Sequence, residues 1–260
     1  MKRSVSSTKK LRPYSRRKLH FFMPLIETVL TPALYEYRSL HGNHTSVAVD
    51  ILRATTSICA ALEAGAECVL PLDTLEGIER YRKQGFQIAA ERGGVKVGDA
   101  EWGNSPTAYA KSDLTGIRLA FCTTNGTVSI LKARESKRLY VGGFCNIDVL
   151  SRRLATEQAD VVVVCSGWEN GVSLEDTLFA GALAERLTTN QRFEPCGDST
   201  TMSLTLWRAA KDNIDSFCAS GTHIQRLTRL GSSADIEFAL RANTCSVVPA
   251  MDRDGLLKRS

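Results

Sequence analysis

The sequence predicts a three-layer α/β/α fold around a sheet of substantial parallel character. Three observations carry that prediction. From Val47 onward, apolar runs of strand length alternate with segments of helical spacing, the rhythm of strand–helix–strand units. The run VVVVC at 161–165 is apolar throughout, as a strand covered by helices on both faces is. A chain of 260 residues that is 43% hydrophobic can also bury a substantial core.

The elements follow in order. VAVDIL (47–52) is a short apolar run, and RATTSICAALEAG after it has helical spacing and stops at Gly65. ECVLPL reads as a strand and TLEGIERYRKQG as an amphipathic helix ending at Gly85. QIAAE is a strand, succeeded by the long loop RGGVKVGDAEWGNSP. GIRLAFCTT leads into NGTVSILKARES, RLYVGGF into NIDVLSRRLATEQ, and ADVVVVCSG into SLEDTLFAGAL. The stretch from Asp198 to Asn243 is largely helical, and CSVVPAM after it is placed to return to the sheet. No linker or internal repeat divides the chain, so one domain is expected over 23–260.

Charge is unevenly distributed. Residues 1–22 carry eight Lys and Arg and no acid, more than the whole net charge of +5. This basic extension is expected to be disordered and separate from the domain, with no implication of nucleic-acid binding. No apolar run approaches the ~20 residues that span a bilayer. The eight cysteines are dispersed without a C-x-x-C pair, the usage of reduced, buried thiols in a cytoplasmic protein.

In such a fold, ligands bind beyond the carboxyl ends of the strands, where helix N-termini also point. The residues just past each strand are Asp50 and Arg53, Glu91 to Gly94, Thr123 to Thr127, Gly142-Gly143, and Ser166-Gly167 followed by Glu175-Asp176. Acids, hydroxyls, glycines and two arginines are concentrated there, the makings of an anion site with a cation beside it. In TTNGT, glycine and free helix-start N–H groups suit phosphate; the same residues also make a tight turn with Thr127 as N-cap. Arg53 and Arg92 suit a phosphate, sulfonate or carboxylate, although a lone arginine is more often a surface ion-pair partner. Asp50, Glu91 and Asp176 suit Mg2+, which needs only one or two protein carboxylates plus substrate oxygens. Ser173 to Asp176 equally reads as a capping box.

Several chemistries are excluded. There is no G-x-x-x-x-G-K-[ST] loop, and no cysteine carries an arginine six residues on as a phosphocysteine loop would. Position 52 is Leu where a second aspartate would complete the familiar aspartyl-phosphate signature. The four histidines, at 20, 41, 44 and 223, fall outside the strand-end loops, which argues against a phosphohistidine route.

Taken in order, six motifs resemble the 2-phosphosulfolactate phosphatase (ComB-like) family. They are DILRATTSICAALEAGA at 50–66, AERGG at 90–94, GNSP at 103–106, TTNGT at 123–127, GGFCN at 142–146 and CSGWENGVSLEDTLFAGAL at 165–183. The resemblance implies a ComB-like fold and a Mg2+-dependent phosphomonoesterase acting on the phosphate ester of a short 2-hydroxy acid. The named substrate is (2R)-O-phospho-3-sulfolactate, giving (R)-3-sulfolactate and phosphate, a step that in methanogens belongs to coenzyme M synthesis. By position, Asp50, Glu91 and Asp176 are the expected catalytic residues, and Asp50, Glu91, Glu175 and Asp176 the expected Mg2+ ligands. Arg53, Arg92, Thr124, Asn125, Gly126 and Thr127 are expected to bind the substrate.

The partner is then a small phosphate ester, with no nucleic acid and no membrane; a homo-oligomer is left open. Two departures stand out. The family's G-F-D-x-G-N-S-P loop reads GDAEWGNSP here, with Glu101 at the place of the aspartate and Trp102 beside it, and Cys122 stands where the family often has threonine. Alternative readings are a phosphatase for another small phospho-acid and a non-catalytic anion-binding protein.

Overall fold

In the computed structural model, described over residues 23–169, 171–189 and 192–260, the apolar runs form a mostly parallel sheet of eleven strands. These are β1 (Leu25–Val29), β2 (Thr45–Val49), β3 (Cys68–Leu72), β4 (Phe86–Arg92), β5 (Val95–Lys96), β6 (Arg118–Cys122), β7 (Arg138–Gly142), β8 (Val161–Cys165), β9 (Glu194–Cys196), β10 (Pro249–Met251) and β11 (Leu257–Arg259). The helices are α1 (Ala54–Glu63), α2 (Glu79–Lys83), α3 (Pro106–Ala110), α4 (Gly126–Ala133), α5 (Ile147–Glu157), α6 (Leu174–Thr188), α7 (Asp198–Ala210), α8 (Ile214–Cys218), α9 (Thr222–Arg229) and α10 (Ser233–Leu240). The basic extension lies outside the described residues.

Strand order is β5-β4-β6-β3-β11-β10-β7-β2-β8-β1-β9. Two parallel blocks, β4-β6-β3 and β7-β2-β8-β1-β9, are joined by the antiparallel β10–β11 hairpin, which pairs with β7 on one side and β3 on the other. CSVVPAM therefore does return to the sheet, at its central seam. Side chains of the fully buried strands alternate between two cores. Val47, Val49, Val161 and Val163 pack with Leu150 of α5, Leu178 and Leu183 of α6 and Leu204 of α7. Ala48, Val141, Val162 and Val164 pack with Ile58 of α1, Tyr109 of α3 and Ile130 of α4. Helices thus cover both faces, as the sequence predicts.

The sheet is strongly coiled. β6 and β2 stand five places apart in strand order, roughly 24 Å in a flat sheet at ~4.8 Å per strand. Yet Gly126, just past β6, lies so close to Asp50, just past β2, that a Cβ on the glycine would sit 2.6 Å from Asp50 Oδ2. Curling brings the carboxyl ends of the two blocks together.

Local differences from the sequence reading have physical reasons. The helix expected over 74–85 is reduced to Glu79–Lys83, because Gly77 sits at φ +68° and no residue of the short helix is buried to reward a longer one. The long loop contains β5, a short hairpin partner of β4. Seven of the eight cysteines are buried thiols. No described helix is long and apolar enough to cross a membrane.

Candidate active site

The strand β2 hands the chain directly to Asp50, and the residues after it fold back on themselves. Thr55 Oγ1 lies 2.9 Å from both the Asp50 N–H and its carbonyl, and Thr56 Oγ1 donates to the Ile51 carbonyl at 2.8 Å. These hydroxyls explain why the turn into α1 is written with threonines: they satisfy backbone groups that the strand-to-helix junction would orphan. Asp50 is buried. Burial pushes its carboxyl up to about 7; the His223 ring opposes that rise and the Glu91 charge adds to it.

Asp50 lines a cavity of about 80 Å³ together with Arg53, Glu91, Asn104, Thr124, His223 and Arg226. Gly93, Gly94, Asn125, Trp168 and Glu169 contribute to its walls. Glu91 comes from the end of β4. Its Oε1 accepts from the Gly94 N–H at 2.5 Å and from Thr124 Oγ1 at 3.2 Å, whereas Oε2 has only a long contact, 3.5 Å, from Asn104 Nδ2. Asn104 is buried, and its Oδ1 has no hydrogen-bond partner. An orphaned buried acceptor beside an under-used carboxylate oxygen, with Asp50 on the same wall, is a hard-oxygen donor set that fits Mg2+. Among the described residues no group of three or more His, Cys, Asp or Glu is arranged to hold a metal alone, so the fit requires the amide oxygen and ligand oxygens to complete it.

The pair that begins α6 is engaged elsewhere. Ser173 Oγ accepts from the Asp176 N–H at 3.2 Å, so the N-cap half of the capping box is real. The Asp176 side chain does not return to Ser173: Oδ1 accepts from the Ile51 N–H at 2.8 Å and Oδ2 from the Gly167 N–H at 3.1 Å. It therefore staples the loop after β2 to the loop after β8. Burial, and then the charges of Asp50 and Glu175, hold its carboxyl well above the usual range. Glu175, 1% exposed, lies with Oε1 3.0 Å from His223 Nδ1. Neither acid lines the cavity.

The predicted anion-binding residues divide in the same way. Arg53 reaches the cavity wall, but its guanidinium is held by Asp235 Oδ2 at 2.8 Å and by the Gly94 carbonyl at 2.8 Å. Arg92 is not brought into the cavity; it lies along Cys122, with Nη2 3.2 Å from Sγ, and donates to the Glu91 carbonyl at 2.8 Å. Thr124 and Asn125 line the cavity. Gly126 has a steric task, since a Cβ would stand 2.3 Å from Ala54 Cβ as well as against Asp50. Thr127 is buried and donates its hydroxyl to the Thr123 carbonyl at 3.1 Å. Glu101, at the altered position, and Trp102 beside it face away: Glu101 accepts from the Ile88 N–H, and Trp102 stacks on Tyr109.

Sequence reading missed Asn104, His223, Arg226 and Asp235 as parts of the site. His223 corrects the inference that the histidines stand apart from it: α9 carries the ring to the cavity, stacked on Trp168 at 5.5 Å with 7° between planes. Asn104 lay within the quoted GNSP motif, so a signal existed. For the others, a lone residue in a helical region gives none.

With that geometry in place, similarity adds a name to the chemistry. Residues 29–254 match the family described as 2-phosphosulpholactate phosphatase. The chain is 36% identical over 221 residues to a protein of Prochlorococcus marinus, covering 82% of this chain and 91% of that one. It is 34% identical over 218 residues to one of Picosynechococcus, covering 82% and 90%, and 34% identical over 207 residues to one of Thermotoga maritima, covering 80% and 88%. All three are named "Probable 2-phosphosulfolactate phosphatase".

Proposed function

The chain belongs to the 2-phosphosulfolactate phosphatase family, and from that premise we propose that it hydrolyses the phosphate monoester of a short 2-hydroxy acid. The substrate favoured is (2R)-O-phospho-3-sulfolactate, released as (R)-3-sulfolactate and inorganic phosphate. The observation that carries this reading is a single cavity holding two buried carboxylates and an orphaned amide oxygen beside Arg53, Arg226 and His223. A substrate with phosphate, carboxylate and sulfonate on three carbons calls for that combination of hard-oxygen donors and cationic groups.

Glu91 Oε2 and Asn104 Oδ1 are the atoms that would hold Mg2+, with Asp50 alongside. The ion, when bound, supplies charge neutralisation at the phosphoryl oxygens. Arg226 and Arg53 orient the remaining anionic groups, and the N–H groups at the start of α4 face phosphate as helix N-termini commonly do. Asp50, whose carboxyl is pushed up to about 7, accepts the proton of the attacking water; a base of that strength is matched to neutral pH. Asp176 keeps the two loops in register so that Asp50 and the cavity wall share one geometry.

The test is phosphate release from purified protein with Mg2+ and with excess chelator, on phosphosulfolactate, phospholactate, phosphoglycolate and an aryl phosphate. Chelator-sensitive release favouring phosphosulfolactate is expected. Preference for another acid keeps the chemistry and changes the substrate. Silence on the whole panel would remove the phosphatase reading.

A further inference from the structure

Breaking a phosphate ester of an alkyl alcohol leaves an alkoxide, a poor leaving group near neutral pH unless a proton reaches it as the bond breaks. The cavity wall offers few groups able to deliver one. Arg53 and Arg226 do not give up protons in proteins. Asp50 and Glu91 are acceptors in the reading above, Asn104, Asn125 and Thr124 are not acids, and Glu169 sits exposed at the rim. The imidazole of His223 remains.

Its surroundings are those of a held proton donor. A carboxylate only accepts hydrogen bonds, so the Glu175 Oε1 contact at 3.0 Å puts a proton on Nδ1. Among the described residues Nε2 has no hydrogen-bond partner, and the ring lines the cavity with Asp50. The indole face of Trp168 fixes the ring plane. Glu175, fixed near the N-terminus of α6 and 1% exposed, holds the Nδ1 edge of the ring and keeps Nε2 turned away from itself. A merely structural ion pair in this position would contribute little, because desolvation largely offsets its attraction.

Resting on the phosphatase reading, we infer that His223 is the general acid that protonates the leaving alcohol oxygen through Nε2, and that Glu175 is the residue positioning it. The bond between phosphorus and the C2 oxygen breaks with its electron pair passing to that oxygen, which takes the Nε2 proton. Water supplies the oxygen of the new P–O bond and gives one proton to Asp50. Exchange with solvent then restores imidazolium and carboxylate.

The experiment compares wild type, His223→Asn and Glu175→Gln on esters of decreasing leaving-group basicity, from the alkyl phospho-acid to p-nitrophenyl phosphate. Loss of a general acid is expected to lower kcat about 100-fold or more on the alkyl ester and to leave the nitrophenyl ester, whose leaving group needs no proton, nearly unaffected. Glu175→Gln is expected to show the same selectivity at smaller amplitude, with KM unchanged. On the alkyl ester alone, the 18O isotope effect at the bridging oxygen is expected to grow in His223→Asn. Equal losses on both esters, or an unchanged isotope effect, would overturn the inference while leaving the phosphatase reading intact. A wild type inactive on every ester removes both.

Discussion

Asp50 joins a stability cost to a proposed catalytic role. Its carboxyl titrates near 7 in the folded chain, against 3.8 for an unperturbed aspartate. The folded state therefore holds the proton more tightly, and stability is lost as pH rises from about 4 through about 7. Three pH units correspond to at most about 4 kcal/mol. Asp50→Asn is expected to abolish turnover yet to raise the melting temperature of chelator-treated protein at pH 8, with the gap closing towards pH 4; a gap independent of pH would contradict the buried-charge account. Gly126 is the complementary case. Gly126→Ala sets a methyl against Ala54 Cβ and Asp50, so denaturant melts are expected to show a loss of about 1–3 kcal/mol, with activity falling further than stability. The acid at 50 and the glycine at 126 were both legible as strand-end residues. Their contact was not, because it spans five strand positions.

Among elements, the start of α6 illustrates two roles met by adjacent groups. Ser173→Ala removes the cap on the Asp176 N–H and is expected to cost about 1 kcal/mol in urea denaturation. It leaves the Asp176 side-chain bonds to Ile51 and Gly167 in place, so activity is expected to survive. The S-x-x-D pattern announced the cap. It said nothing of where the aspartate's oxygens go, since one partner, Ile51, is 125 residues away and leaves no local trace. The Arg53–Asp235 pair ties the turn before α1 to α10, with side chains 6% and 7% exposed. Asp235→Asn strands a buried guanidinium and is expected to cost about 3–5 kcal/mol, whereas Arg53→Met with Asp235→Leu recovers only part of that loss, because Asp235 Oδ1 also accepts from Ser105 Oγ at 2.7 Å and Thr107 Oγ1 at 2.6 Å. Activity should stay low in the double variant because Arg53 lines the cavity. Calorimetry and phosphate release, read together, separate the two contributions.

At the scale of the whole molecule, the last strands matter as much as the first. The β10–β11 hairpin is the only connection between the two parallel blocks in the described strand order, so a chain ending after Val248 is expected to lose cooperative unfolding and to expose apolar strand edges. Size-exclusion chromatography and circular dichroism of that truncation check the point. Strand-length valine runs, helical spacing and the glycines that end helices determined the α/β/α class by themselves, because burial on both faces and backbone termination are local demands. Composition at the strand ends likewise marked the edge where the cavity lies, and six ordered motifs marked the family. Only the tertiary structure decided which of those residues meet: Asp50 and Glu91 with Asn104 in one cavity, Arg92 turned aside onto Cys122, Asp176 bound to backbone, and Glu175 paired with a histidine from α9. Sheet coiling and the packing of the C-terminal helices set those contacts. They depend on residues far apart in the chain, so no short window of sequence contains them.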